Sequence, residues 1–178
     1  MTEYNCGIAI FSTVRSSWKD IVNDIKLNND YKIVDIFVAR YDLQEWDEYF
    51  LNFYAQNSST PGVLEFEDES KKLIMTPHGS DLLGGKTSQE KLGLLIKKGS
   101  TIAKSGKDMC IVLLKSNAQD EENKKQILLK FKNQIRNKYF NITQNRWSIV
   151  HSFDTELNTA ANVDFIKKHC NIFKVIGV

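Results

Sequence analysis

The stretch Met109-Cys110-Ile111-Val112-Leu113-Leu114 decides the fold class. Its six apolar residues, bounded by Asp108 and Lys115, are too few for a buried helix and are typical of a buried strand. Two further runs have the same character: Gly7-Ile8-Ala9-Ile10-Phe11, and Ile33-Val34-Asp35-Ile36-Phe37-Val38-Ala39. Unbroken apolar runs indicate strands that are covered on both faces. The sequence therefore predicts a sheet with helices packed against it.

The segments between these strands carry apolar residues three to four positions apart, which predicts amphipathic helices. Four predicted helix starts have a capping pair or an acidic first turn: Ser17/Asp20, Asp42/Glu45, Thr87/Glu90 and Asp120-Glu121-Glu122. Gly99 is expected to weaken or end the third of these helices. A last helix is expected to begin at Asp154 or Thr155.

Three weaker strand signals complete the pattern. Residues 63–67 and 72–75 flank a polar turn and predict a β-hairpin. Trp147, Ile149, His151 and Phe153 alternate with smaller or polar residues, which predicts a strand with these four on one face. Residues 172–176 are expected to form a last strand at a sheet edge. We therefore predict one domain over residues 1–178, an α/β sandwich with a mixed or antiparallel sheet of four to six strands.

Composition excludes several classes of protein. The chain has 178 residues, with 24 Lys and Arg, 22 Asp and Glu, 2 Pro and 9 Gly, so collagen-like, mucin-like and disordered chains are excluded. A net charge of +2 does not indicate a general nucleic-acid or membrane binder. No run approaches the roughly 18 apolar residues of a membrane span, and no signal peptide is recognisable. The scattered Cys6, Cys110 and Cys170 predict reduced thiols, so we expect a cytoplasmic protein.

Charge is unevenly distributed along the chain. No Lys or Arg occurs between Tyr41 and Ser70, and no Asp or Glu occurs between Asn123 and Phe153. In the basic stretch, Lys132 and Arg136 are four residues apart and share one helix face. A surface polarised in this way predicts a phosphate-bearing ligand or a charged partner. The alternative is that the basic helix is only a solvated face.

A glycine-rich segment is a second candidate for phosphate binding. Gly79 to Thr87 has the sequence GSDLLGGKT and precedes a predicted helix. Gly79 is one residue too early for a P-loop, which needs four residues between the first Gly and the Gly-Lys-Ser/Thr, because five residues separate Gly79 from Gly85 here. Lys86 and Thr87 could still hold a phosphate at the helix N-terminus. The alternative is a flexible structural loop.

His151 is the strongest candidate for chemistry. It lies near the end of a predicted strand, with Asp154 three residues later at a predicted helix start. A histidine there can act as nucleophile or general base with Asp154 orienting its ring, while Arg136 and Arg146 bind an anion. The alternative is a structural histidine. No metal-ligand cluster is visible, so any magnesium would arrive with a nucleotide.

The order of elements and the segment Ser148-Ile149-Val150-His151-Ser152-Phe153-Asp154 resemble nucleoside diphosphate kinases. The apolar first strand, a helix ending in Phe53-Tyr54-Ala55 and the pair Ile135-Arg136 add to the likeness. The resemblance implies a ferredoxin-like α/β sandwich. It also implies a phosphohistidine at His151 and contact of Arg136 with nucleotide phosphates.

Two classes of function follow. The first is a non-catalytic interaction module that docks a protein or nucleic-acid partner through its basic helix or its acidic, aromatic helix. The aromatic residues Trp46, Tyr49, Phe50 and Phe53 exceed what one apolar stripe needs, so part of this set is expected to face a partner. The alternative is a nucleotide- or phosphate-handling enzyme that uses His151. The sequence leaves the oligomeric state open.

Overall fold

The computed structural model describes residues 3–42, 45–56, 65–67, 72–74 and 88–175. The strands within these residues are β1 Cys6–Phe11, β2 Tyr31–Arg40, β3 Glu65–Glu67, β4 Lys72–Ile74, β5 Asp108–Ser116, β6 Val150–Phe153 and β7 Asn171–Lys174. The helices are α1 Trp18–Lys26, α2 Trp46–Ala55, α3 Ser88–Ser105, α4 Glu121–Lys138, the short α5 Phe140–Thr143 and α6 Glu156–His169. Two 3-10 segments, Ser12–Ser17 and Arg146–Ser148, precede α1 and β6.

Five strands form one antiparallel sheet in the order β6-β1-β5-β2-β7. The central pair is in register over six residues, from Cys6 opposite Leu114 to Phe11 opposite Met109. Both central strands have a neighbour on each side, so their backbone groups are paired and their side chains can be wholly apolar. The predicted α/β sandwich is confirmed, and the sheet is antiparallel. The ferredoxin-like expectation stays a prediction.

Helices cover both faces of this sheet. Cys6, Ile8 and Ile10 pack on one face with core residues of α1 and α4. Ala9 and Phe11, which point the other way, pack with core residues of α2, α3 and α6. The alternation of strand side chains therefore gives β1 two separate cores, which explains why all six of its residues are buried.

Helix α2 supplies most of the aromatic core. Trp46, Tyr49, Phe50 and Phe53 are 5%, 4%, 1% and 0% exposed, so the expectation that part of this set faces a partner is wrong. The reason is that α2 lies between the sheet and two other helices. Its rings pack on several sides, as in the stacking of Tyr49 on Phe165 with centroids 5.4 Å apart.

Two of the predicted capping pairs do not form. Ser17 and Glu45 flank α1 and α2 but make no side-chain cap hydrogen bond. Ser17 instead ends the 3-10 segment before α1, and the Asp42 carboxylate accepts a hydrogen bond from Asn171 at 2.5 Å. Two later caps form, because Asp120 accepts from the backbone of Asn123, and Thr155 accepts from that of Asn158, whereas Thr87 lies outside the described residues. Thr155, rather than Asp154, is thus the cap of α6.

Gly99 does not end α3, which continues to Ser105. Its role is close packing. The Trp46 Nε1 donates to the Gly99 carbonyl at 2.9 Å, and a Cβ atom on Gly99 would lie 2.8 Å from Cδ1 of Phe50. Because residue 99 is a glycine, the backbone of α3 approaches the rings of α2 more closely than it could with any other residue at this position.

We expect Gly99→Ala to lower the free energy of unfolding by about 1–2 kcal/mol, because overpacking the buried Phe50 outweighs the gain in helix propensity. Gly93 lies in the same helix with open space around its Cβ position, so it offers a matched control. Gly93→Ala should raise stability by up to about 1 kcal/mol. Urea unfolding of both variants measures the difference. Equal effects of the two substitutions would contradict the close contact.

The remaining strands differ from expectation in detail. The hairpin pairs over three residues, from Glu65 opposite Ile74 to Glu67 opposite Lys72, and β7 lies at the sheet edge as predicted. β2 is only partly buried, because β7 pairs with its last four residues alone. In the part of the chain that the structure describes, no helix is long and apolar enough to cross a membrane.

Candidate functional site

The candidate site lies at the β6 edge of the sheet, where four other elements converge. β6 is an edge strand that pairs with β1 alone, so its free side is open to neighbouring helices. α4 approaches from one face of the sheet, and α2 and α3 lie on the other. The 3-10 segment Arg146–Ser148 leads directly into the strand.

Arg136 of α4 reaches this edge as a buried cation. Its side chain is 5% exposed. One guanidinium nitrogen, Nη2, donates to the Val150 carbonyl at 2.9 Å, which fixes the group beside β6. The Nε atom is buried without a hydrogen-bond partner among the described residues. A guanidinium with an orphaned buried donor has unused capacity for an acceptor.

Arg146 adds a second guanidinium with the same property. Its Nε is also buried without a partner in the described part of the chain, and its Nη2 makes only a long hydrogen bond of 3.4 Å to Asn133. The Cζ atoms of Arg136 and Arg146 lie 5.0 and 5.4 Å from the centroid of the Trp147 ring. Both guanidinium groups therefore contact the ring of Trp147, a residue that is 58% exposed.

His151 brings a third orphaned nitrogen to this edge. Its ring packs on Tyr54 with centroids 4.4 Å apart and contacts Phe53 at 5.7 Å. The Nε2 atom is buried, and no described group hydrogen-bonds to it. Burial, helped by the charges of Lys98, Lys132 and Arg136, holds the pKa of His151 well below its ordinary value. The imidazole is therefore neutral at physiological pH.

Lys98 of α3 completes the site from the other face of the sheet. Its Nζ donates to the Tyr54 hydroxyl and lies 4.6 Å from the centroid of that ring. It is also 5.3 Å from the ring centroid of Phe11. Burial first, and then the charges of Arg136 and Lys132, lower the pKa of Lys98 well below that of an ordinary lysine. Burial likewise raises the pKa of Tyr54, so its phenol stays protonated.

We call Lys98, Lys132, Arg136 and Arg146 the cation cluster. Among the described residues, no ion pair involves any of its members. Elsewhere the fold pairs its buried charge: the Asp108 carboxylate, 5% exposed, holds Arg15 at 2.5 Å and Arg40 at 2.9 Å. Gathering like charges at a partly desolvated edge is unfavourable. Among the described residues, the charge of Asp154 acts on Lys132 and Arg136 but forms no ion pair with either.

A cavity of about 540 Å³ opens beside the cation cluster. Its lining is largely apolar and combines α2, α3 and the turn before β6: Tyr54, Leu94, Leu95, Lys97, Lys98, Asn145 and Trp147. The volume falls in the range of about 300–1,000 Å³ that is common for small-molecule sites. An apolar cavity beside an unpaired group of cations can hold a ligand with an anionic end and an uncharged body.

The structure brings four of the predicted site residues together, namely His151, Arg136, Lys132 and Arg146. Asp154 lies at the same strand end, but its carboxylate accepts a hydrogen bond of 2.5 Å from Ser152. Ser152 neighbours His151 and so points to the opposite face of β6, and no hydrogen bond between Asp154 and His151 occurs among the described residues. Lys86 and Thr87 lie outside the described residues.

The predicted strand over residues 147–153 is shorter than expected. Trp147 lies in the 3-10 segment rather than on the strand, because the Asn145 side chain accepts from the Trp147 backbone and caps that segment. Sequence reasoning missed Lys98 and gave Tyr54 no role at the site. A signal for Lys98 exists, since it lies between Leu95 and Ile102 at a spacing that places it on the buried face of α3.

Comparison with protein-family models, with curated proteins and with solved structures found no match to this chain. Within the described ranges there is also no cluster of three or more His, Cys, Asp or Glu side chains that could hold a metal ion. The residues of the site are therefore the basis for its chemistry.

The neutral His151 predicts a pH-dependent stability. Its folded pKa is depressed from the ordinary value of 6.5, so acidification protonates the unfolded chain first. Above the pKa of the unfolded chain, His151 is neutral in both states and the free energy of unfolding does not depend on its protonation. Below that pKa, the free energy of unfolding should fall by up to about 1.4 kcal/mol for each pH unit. His151→Phe should remove this part of the acid dependence in unfolding experiments. The matched control is His169→Phe at the end of α6, where burial and the charge of Lys168 lower the pKa less strongly. Its effect should therefore be smaller, and an equal change in both variants would contradict the assignment.

Proposed function

We propose that this chain binds a small phosphate-bearing ligand at the β6 edge, with the phosphate in the cation cluster and the rest of the ligand in the adjoining cavity. One observation carries the proposal. The Nε atoms of Arg136 and Arg146 and the Nε2 atom of His151 are all buried without partners among the described residues, beside the cation cluster. Buried polar atoms in folded proteins are rarely left unbonded without a functional reason.

Charge and geometry favour phosphate over a carboxylate as the anion. A phosphate group carries up to two negative charges and three acceptor oxygens, and it can therefore offset more than one cation of the cluster. Guanidinium groups bind phosphate through parallel N–H donors. Lys132, which is 9% exposed, adds a further charge from the same helix as Arg136. A nucleotide, with or without magnesium, belongs to this ligand class.

Docking of a macromolecular partner through the basic helix stays a prediction. Lys125, Lys130 and Lys138 are exposed on α4, but Lys132 and Arg136 are turned inward. The inward pair supports a small ligand better than an extended surface. If the protein binds no small anion, docking of a macromolecular partner through the exposed lysines becomes the better explanation of the basic helix.

A thermal-shift series with phosphate, pyrophosphate, ATP, GTP and sulfate tests the proposal. A ligand that binds only the folded state stabilises it by about 2.7 kcal/mol at a hundredfold excess over its dissociation constant. We expect the phosphates to raise the melting temperature of the wild type and sulfate to do so less. Lys132→Met should reduce the shift, whereas the matched control Lys130→Met, on the exposed side of α4, should keep it.

Two outcomes would count against phosphate binding. One is the absence of a shift with any phosphate. The other is equal weakening by Lys130→Met and Lys132→Met, which would indicate a general effect of net charge rather than a site.

A further inference from the structure

Lys98 differs from the other members of the cation cluster in its surroundings. Its Nζ contacts the Tyr54 hydroxyl and faces the rings of Tyr54 and Phe11, and the residue also lines the cavity. Lys132 and Arg136 lie on α4 and are absent from that lining. Lys98 is thus a partly buried amine at the boundary between the cations and the cavity.

Burial and the charges of Lys132 and Arg136 favour the neutral form of Lys98. Tyr54 faces it from α2, Lys132 and Arg136 from α4, and His151 from β6. None of these is acidic, and no described carboxylate forms an ion pair with Nζ. A lysine that loses its proton in apolar surroundings gains a free lone pair, which is how proteins make reactive amines.

We propose that Lys98 is a nucleophilic amine that forms an imine with a carbonyl group of the bound ligand, and that the ligand is a phosphorylated aldehyde or ketone. The choice of a phosphorylated ligand rests on the proposed function. The reactive amine itself rests on the cavity, the contact of Nζ with the Tyr54 hydroxyl and the absence of an acidic partner among the described residues.

The reaction balances without an oxidant or reductant. The lone pair on Nζ forms a bond to the carbonyl carbon while the carbonyl π electrons move to oxygen, and one proton passes from nitrogen to oxygen. The resulting carbinolamine loses its hydroxyl with a second proton, as water, and the carbon–nitrogen double bond forms. The Tyr54 phenol lies against Nζ and keeps its proton, so it can donate to the departing hydroxyl.

Reductive trapping of the full chain tests this inference. The protein is incubated at neutral pH with pyridoxal 5′-phosphate or with pyridoxal as probe aldehydes, reduced with borohydride, and mapped by peptide mass spectrometry. Lys104 on the same helix is exposed and lies outside the cavity lining, so it serves as the internal control. We expect Lys98 to be labelled about tenfold faster than Lys104, since each unit by which a lysine pKa falls gives about tenfold more neutral amine. Lys98→Met, which replaces the amine with an apolar side chain of similar length, should fold and lose this label.

The two probes separate this inference from phosphate binding. Faster labelling by the phosphorylated probe, with protection by pyrophosphate, supports both the amine and the ligand class. Selective labelling of Lys98 by both probes at equal rates, without protection, supports the amine and overturns the phosphorylated ligand. Labelling of Lys98 no faster than Lys104 overturns the reactive amine, even where phosphates raise the melting temperature.

Discussion

Phe53→Ala is expected to lower the free energy of unfolding by about 3–5 kcal/mol, the range found when buried aromatic side chains are removed. The Phe53 ring is fully buried. It lies about 6 Å from the ring centroids of Phe11, Phe50 and Phe153, and it also contacts His151. Truncation would leave a cavity between α2, β1 and β6 that these large rings cannot close. Urea denaturation measures the loss.

The matched control for this substitution is Phe173→Ala. Phe173 is on the edge strand β7 and is 49% exposed, so its truncation should cost less than about 1 kcal/mol. Phe53→Ala should also disturb the site, since it removes the support beneath His151 and Tyr54. Similar losses for the two variants would show that the aromatic residues of α2 are not the core of this face.

Arg136→Met is expected to weaken binding of pyrophosphate by about 10- to 100-fold, because hydrogen bonds to charged groups contribute about 1.5–3 kcal/mol. Methionine keeps much of the side-chain length but removes the charge and the orphaned Nε donor. The fold should persist, since the variant also relieves repulsion with Arg146, whose charge helps to lower the pKa of Arg136. Isothermal titration of pyrophosphate into wild type and variant measures the change.

Two further variants sharpen this result. Arg136→Lys keeps a charge but loses the planar pair of donors, so its affinity should fall between those of wild type and Arg136→Met. Lys138→Met removes a charge from the same helix at a residue that pairs with Asp24 at 2.7 Å, away from the site. It should bind nearly as well as wild type. If Arg136→Met binds pyrophosphate with unchanged affinity, Arg136 does not contact the ligand.

The central strands were predictable because their chemistry is local. β1 and β5 are buried on both faces, so every residue in the runs Gly7–Phe11 and Met109–Leu114 is compatible with a core. The failures depend on tertiary packing. Gly99 predicted a helix end, yet Phe50 requires a glycine inside the helix. The predicted caps at Ser17 and Asp42 were replaced by a 3-10 segment and by a contact with β7.

The site was partly predictable for a similar reason. Lys132, Arg136 and Arg146 belong to one acid-free stretch that leads into His151, so their clustering is visible along the chain. Lys98 and Tyr54 come from segments that are distant in sequence, and only the packing of α2 and α3 against the β6 edge brings them to His151. The packing of these two helices cannot be predicted from a single sequence without related sequences to compare. A lysine at a core position of α3 was the available clue.

The most direct measurement is of the arginine Nε–H resonances in ¹H–¹⁵N spectra during titration with pyrophosphate. The chain has four arginines, and Arg40 is an internal control because its Nε already donates to Asp108 at 2.9 Å. We predict that the Nε–H signals of Arg136 and Arg146 shift together and saturate, whereas that of Arg40 stays in place. Absence of a saturable shift at Arg136 and Arg146, or equal shifts at all four arginines, would contradict a phosphate site at the β6 edge.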